Sequence, residues 1–260
     1  MLKPWLIFFS IAIAPVYAHE FWLQPMSYTG QVGNEIAIDW RVGSHFEGTP
    51  YVYLPSTAQQ VAQIVNGKRQ DLNPRFAAKP ALTVTIGSQT TIAITQTTDF
   101  EIKYADKAAF VAFLAKEQLQ DSIDATRIAE SGEIIESYRR YAKTLITSSK
   151  EPWRDQVTGL DYEWLITARG AQLSAQLLSF GEPAQNHPVK LFEKSTDGGV
   201  HERVAKTNDK GVVSFDDMQA DAVYLLNAIR IAPVEPSTNE FGATWHTEWA
   251  STTFQWPSNR

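Results

Sequence analysis

The sequence predicts a mainly β protein: two tandem β-sandwich domains, with a helical insert between them or within the first. Three observations predict it. Short stretches rich in Thr, Val and Ile alternate polar and apolar residues, Gly and Pro interrupt them at close intervals, and one central stretch switches to helical spacing. The apolar share of 43 % and the eight Trp are enough for real cores in a chain of 260 residues.

The chain opens like an export signal. Lys3 supplies the positive end, Trp5 to Ala14 form an apolar core, and Val16-Tyr17-Ala18 places small residues at −3 and −1 of a cut after Ala18. That core is shorter than the roughly 20 residues a membrane helix needs, and no later segment is apolar for long enough. Residues 1–18 are therefore expected to be removed, leaving an exported chain that starts at His19.

From Phe21 to about Tyr104 the pattern is β. Glu35 to Val42 alternates, as does Ala81 to Ile86, and Gly87-Ser88 is expected to turn the chain into Thr91 to Thr95. Asn66-Gly67 is a strong hairpin signal after Val61 to Val65. Residues 106–145 then read as a helical insert. Phe110, Phe113 and Leu114, and later Ile123, Ile128, Ile134 and Ile135, recur at helical spacing, with Ser131-Gly132 expected to separate two helices. The second would run from Glu133 to Lys143, with Arg139, Arg140 and Lys143 as solvated helix-end charges.

After the polar linker Ser148 to Pro152 the β pattern returns. Ala171 to Leu178 alternates, Gly181-Glu182-Pro183 turns, and Val189 to Glu193 begins another strand. Asp197-Gly198-Gly199 and Thr207 to Gly211 read as hairpin turns, and Trp249 to Trp256 as a closing strand expected to return toward the N-terminus. The domains expected are thus 19–150, carrying the insert, and 151–260, the smaller sandwich with the terminal strand.

Composition narrows the function. The absence of cysteine removes thiolate metal sites and cysteine nucleophiles, and suits a periplasmic protein more than a disulfide-stapled secreted domain. A net charge of −6 without a basic stripe argues against nucleic acid. Gly-x-Ser-x-Gly, a P-loop and His-Glu-x-x-His are all missing.

A histidine at a processed N-terminus offers two nitrogen donors, the α-amine (pKa roughly 8) and the imidazole. Such donors suit nickel, cobalt or copper, and also zinc. His19 is therefore the leading candidate ligand. His246 is the second, and Glu248, two residues on, would face the same side of an extended strand. Glu20 and His45, the latter in the glycine-flanked Gly43 to Gly48 loop, complete the candidate set. Each has a plainer reading: an aromatic-layer histidine at 246, an exposed loop histidine at 45. An N-terminal histidine with a second imidazole also makes the histidine-brace site of exported copper oxidases, and a metal-free interaction module is a third reading. His187 and His201 read as surface residues.

HEFWLQP after the signal, RVGSHFEG, SYRRYAKTL, TNDKGVVSF and the closing WHTEWASTTFQW together resemble the periplasmic DUF4198 proteins. The resemblance spans essentially the whole mature chain and implies nickel or cobalt uptake, with the captured ion passed to a membrane transporter. In relatives a histidine often stands directly before the closing Trp-Ala; here that place holds Glu248, with His246 two residues earlier. Residues from about Gln172 to Ile231 also resemble the prealbumin-like module found beside carboxypeptidases, which implies a structural role for that half.

Overall fold

The computed structural model describes residues 19–148 and 153–258; the expected export signal lies outside them. The first strands are Glu20–Pro25 (β1), Thr29–Gly30 (β2), Glu35–Ser44 (β3), Glu47–Tyr51 (β4), Ala58–Val65 (β5), Lys68–Asp71 (β6), Leu82–Thr85 (β7), Thr91–Thr97 (β8) and Phe100–Lys103 (β9). Two short helices follow, Lys107–Lys116 (α1) and Ala125–Glu130 (α2), and then the long strand Ile135–Ser148 (β10). The remainder is β: Tyr162–Arg169 (β11), Gln172–Ser179 (β12), Glu182–Pro183 (β13), Pro188–Lys194 (β14), Val200–Lys206 (β15), Val212–Phe215 (β16), Val223–Pro233 (β17) and Trp245–Gln255 (β18).

These strands form three sheets. β1, β4 and β7 all pair with β3 in the first. The second runs β15-β14-β17-β18-β10-β8-β5-β6, with β2 and β9 attached to β10. The third joins β11, β12, β13 and β16. The large sheet draws on both halves of the chain, which meet where β10 and β18 run parallel from Glu136 opposite Trp245 to Thr144 opposite Thr253. A parallel pair needs a long connection, here the whole C-terminal module.

Alternation sends successive side chains of β10 and β18 to opposite faces of this shared sheet. On one face Ala142 and Ile146 pack against Phe21, Leu23 and Trp40 of the first sheet, while Trp245 and Trp249 pack against Phe110 and Phe113 of α1. On the other, Tyr141, Leu145, Ala250 and Phe254 join Trp164, Leu173 and Leu177 of the third sheet. One sheet thus serves as wall for covers on both sides.

That double cover explains where the sequence misleads. The helix expected over 133–143 is instead the first part of β10. Most of β10 is buried because both its faces are covered, so the period-2 signal of a half-exposed strand is absent. The insert holds α1, capped where the Asp106 side chain accepts from Ala109 N, a 3-10 turn at Gln120–Ser122, and α2, capped by the Asp124 side chain accepting from Thr126 N.

Turn signals divide in the same way. Asn66 and Gly67, both at positive φ, close the β5–β6 hairpin, and the turn at Asp197 to Gly199 closes β14–β15. Gly87-Ser88 and Thr207 to Gly211 instead carry the chain between sheets, because β7 and β8, like β15 and β16, belong to different ones.

Candidate functional site

The head of β1 is held from several directions. Glu20 sits opposite Gly43 in the ladder with β3. The hydroxyls of Ser251 and Thr253 donate to the carbonyls of Phe21 and Leu23, each at 2.6 Å. One residue earlier, Arg140 Nη2 donates to the His19 carbonyl at 3.2 Å. These contacts bring the start of the described chain to the mouth of a cleft of about 460 Å³ between the two sheets of the N-terminal sandwich. His19, Trp40, Tyr51, Phe100, Tyr138 and Arg140 line it, with the exposed Glu101 at its rim.

Arg140 is the unusual member. It is only 8 % exposed, and burial lowers its pKa from the usual guanidinium value. Its guanidinium lies 4.6 Å from the Tyr138 ring centre, and its Nε has no hydrogen-bond partner among the described residues. Behind it lies Glu136, wholly buried, which accepts from the hydroxyls of Tyr104 and Thr247. Burial pushes the Glu136 carboxyl up to about 7 despite those donors.

Glu20 follows His19 in the chain but points to the other side of β1. There it is buried beside the Lys190–Glu117 ion pair, with one carboxylate oxygen unpartnered, and burial raises its pKa. His45 occupies the two-residue β3–β4 turn at φ 53°, where its Nε2 is 3.4 Å from Glu202 and its ring meets Phe192 edge-on.

His246 and Glu248 do share a face, as the spacing requires. It is the opposite face from β1. The alternate residues Ser251 and Thr253 reach β1, so His246 and Glu248 point away from it. The partner strand agrees: Arg140 touches His19, whereas Ser137, of opposite parity, holds His246 Nδ1 at 2.8 Å. The expected convergence of His19 and His246 on one ion is therefore corrected. The terminal strand does return to the N-terminal strand, but its histidine emerges on the far side of the sheet, so a two-histidine brace is not assembled from this pair.

On that far side the charges satisfy one another. Glu248 pairs with Arg230 and accepts from Tyr141 Oη at 2.8 Å, and Arg139 grips Asp99 through two bonds of 2.7 and 2.9 Å. Burial lowers the pKa of His246, favouring the neutral ring. His187, expected on the surface, is half-buried with Nδ1 3.1 Å from Tyr162 Oη. Among the described residues no three His, Asp or Glu side chains are grouped to hold a metal ion.

Tyr138 and Arg140 fall in the stretch whose spacing predicts a helix, and Phe100 and Tyr51 stand in no motif, so the sequence does not single out these cleft residues. A usable signal was present: Tyr138 to Thr147 contains two Tyr, two Thr and an Ile, a composition that favours strand over helix.

No curated protein matches the chain. Among solved structures it is similar to the chicken interferon gamma receptor alpha chain, at 8 % identity and a TM-score of 0.24, covering 94 % of this chain and 100 % of that one. It is also similar to a tetra-tandem repeat of a large adhesion protein, at 11 % identity and a TM-score of 0.21, covering 91 % and 49 %. A DUF4785 family protein of Legionella pneumophila gives 11 % identity and a TM-score of 0.24, covering 79 % and 51 %. The chain thus spans about half of the latter two. The model of the DUF4198 family, a domain of unknown function, matches residues 16–231, most of the chain, and the protein belongs to that family.

Proposed function

We propose that this is an exported, periplasmic metal-capture protein. Cleavage after Ala18 frees the α-amine of His19, which with its imidazole chelates one nickel, cobalt or copper ion, zinc being the further candidate, for delivery to a membrane transporter. The observation that supports this reading is the anchoring of the head of β1. A loose terminus would lose conformational entropy on closing a chelate, whereas His19 is already held through its carbonyl by Arg140, at a cleft mouth. The two nitrogens of His19 supply the affinity, and the remaining coordination positions are open to water or a small ligand. Because the amine must shed its proton, binding weakens as pH falls below roughly 8.

Intact mass and N-terminal sequencing of the exported protein, followed by titration with each metal, test the proposal. Stoichiometric binding is expected, weakened about tenfold or more by His19→Ala and by one glycine placed ahead of His19, and left unchanged by His246→Ala. A processed chain that starts elsewhere overturns the reading, as does binding indifferent to the added glycine.

A further inference from the structure

We propose that the cleft at His19 is a binding site for a small aromatic monocarboxylate, held by the Arg140 guanidinium and packed against Phe100, Trp40 and Tyr51 along its walls. This goes beyond the metal reading and needs no metal ion.

Three observations carry it. The first is the state of Arg140, a nine-tenths buried cation on the lining of an open cleft. Among the described residues its Nη2 donates to the His19 carbonyl, the Tyr138 side chain is a further partner, and its Nε has no acceptor. Arg41, Arg203 and Arg230 also keep an unpartnered Nε, but each is paired with a carboxylate, whereas Arg140 has no carboxylate and opens onto the cleft, where a ligand can meet its donors. Glu136 acts on it only as a neighbouring charge, and among the described residues no carboxylate forms an ion pair with it.

The second is the lining. Phe100 and Tyr138 stack at 5.4 Å with 21° between their planes, and Trp40 meets Phe21 and Tyr53 edge-on. Tyr138 is stacked on Phe100 and capped by Arg140, which leaves Phe100, Tyr51 and Trp40 as ring surface against which a flat apolar body can pack. The third is scale, because about 460 Å³ lies within the range of small-molecule sites.

These features also select the ligand class. A planar guanidinium matches the two oxygens of a carboxylate. The lining has one arginine and no lysine, too little positive charge for a phosphate dianion. A bare inorganic anion would exchange its hydration for ring surface and gain little.

The test uses the processed, chelator-treated protein and three probes by calorimetry: phenylacetate, its neutral analogue phenylacetamide, and acetate. Phenylacetate is expected to bind saturably, the amide about tenfold or more weaker, and acetate not detectably. Arg140→Gln should abolish the difference between acid and amide. Since removing a buried arginine can unfold the protein, Val52→Trp, which fills the cleft from its lining, provides a second variant and should abolish phenylacetate binding with Arg140 in place. Binding should persist with one glycine placed ahead of His19, which removes the amine that the metal reading needs and keeps every cleft side chain, so the two sites are separated. Equal affinity for acid and amide overturns the proposal, as does indifference to Val52→Trp or no saturable phenylacetate binding.

Discussion

The two faces of the paired strands β10 and β18 carry similar residue types and differ in how those are satisfied. On the face away from β1, Lys143 lies between Asp155 and Glu163, Arg139 holds Asp99, and Glu248 holds Arg230 and Tyr141. On the face toward β1, Arg140 has no carboxylate paired to it, keeps an unpartnered Nε and opens onto a cleft. Counting acidic and basic residues would not tell the two apart. Both faces keep unpartnered buried atoms, Thr252 Oγ1 and Arg230 Nε on the far one; what distinguishes them is that the far cations are paired with carboxylates, whereas Arg140 is not and borders a cavity where a ligand has something to gain.

The comparison breaks most easily at Lys143. Its side chain and those of Asp155 and Glu163 are 1 %, 0 % and 2 % exposed, and Asp155 also accepts from the backbone of Gln156 and Ile166. Lys143→Met would leave two buried carboxylates without their cation, and the expected loss in denaturant unfolding is about 3–5 kcal/mol. A loss below about 1 kcal/mol would mean that charge pairing does not close this face.

Glu136 sharpens the other face. Its carboxyl is raised from 4.5 to about 7, so the folded chain keeps a proton that the unfolded chain has released. This contribution is greatest below the unfolded pKa and falls by about 3 kcal/mol as pH rises from 4.5 to 7. Glu136→Gln should flatten that stretch of the stability–pH curve; a curve unchanged by the substitution would show that Glu136 is ionised in the fold.

Smaller effects are expected at the edge of the far face. Glu248→Gln removes the charge facing Arg230, which is 30 % exposed, so a loss of about 1–2 kcal/mol is expected, with phenylacetate affinity unaltered. His246→Ala loses one hydrogen bond to Ser137 and should cost about 1 kcal/mol in the same unfolding assay. If His246→Ala instead removed nickel binding, the separation of the two faces would be wrong as a guide to the metal site.

Much of the β framework was legible in the sequence. Strands covered on one face, such as β7 with Leu82 and Val84 buried and Thr83 exposed, announce themselves by alternation. The Asn66-Gly67 hairpin did so by the positive φ its turn demands. The candidate site was legible at one residue. His19 stands out by position, whereas Arg140 and Tyr138 were hidden in a strand buried on both faces, and such a strand shows no period.

By itself the sequence determined strand content, the local turns and the shared orientation of His246 and Glu248, because each depends on neighbours a few bonds away. Only the tertiary structure decided that the two sandwiches share a sheet, and on which side of it His246 and Arg140 emerge. The physical reason is that a strand's two faces are equivalent until something packs on them. The long-range contacts of Ser251 and Thr253 with β1 settled which face became the cleft.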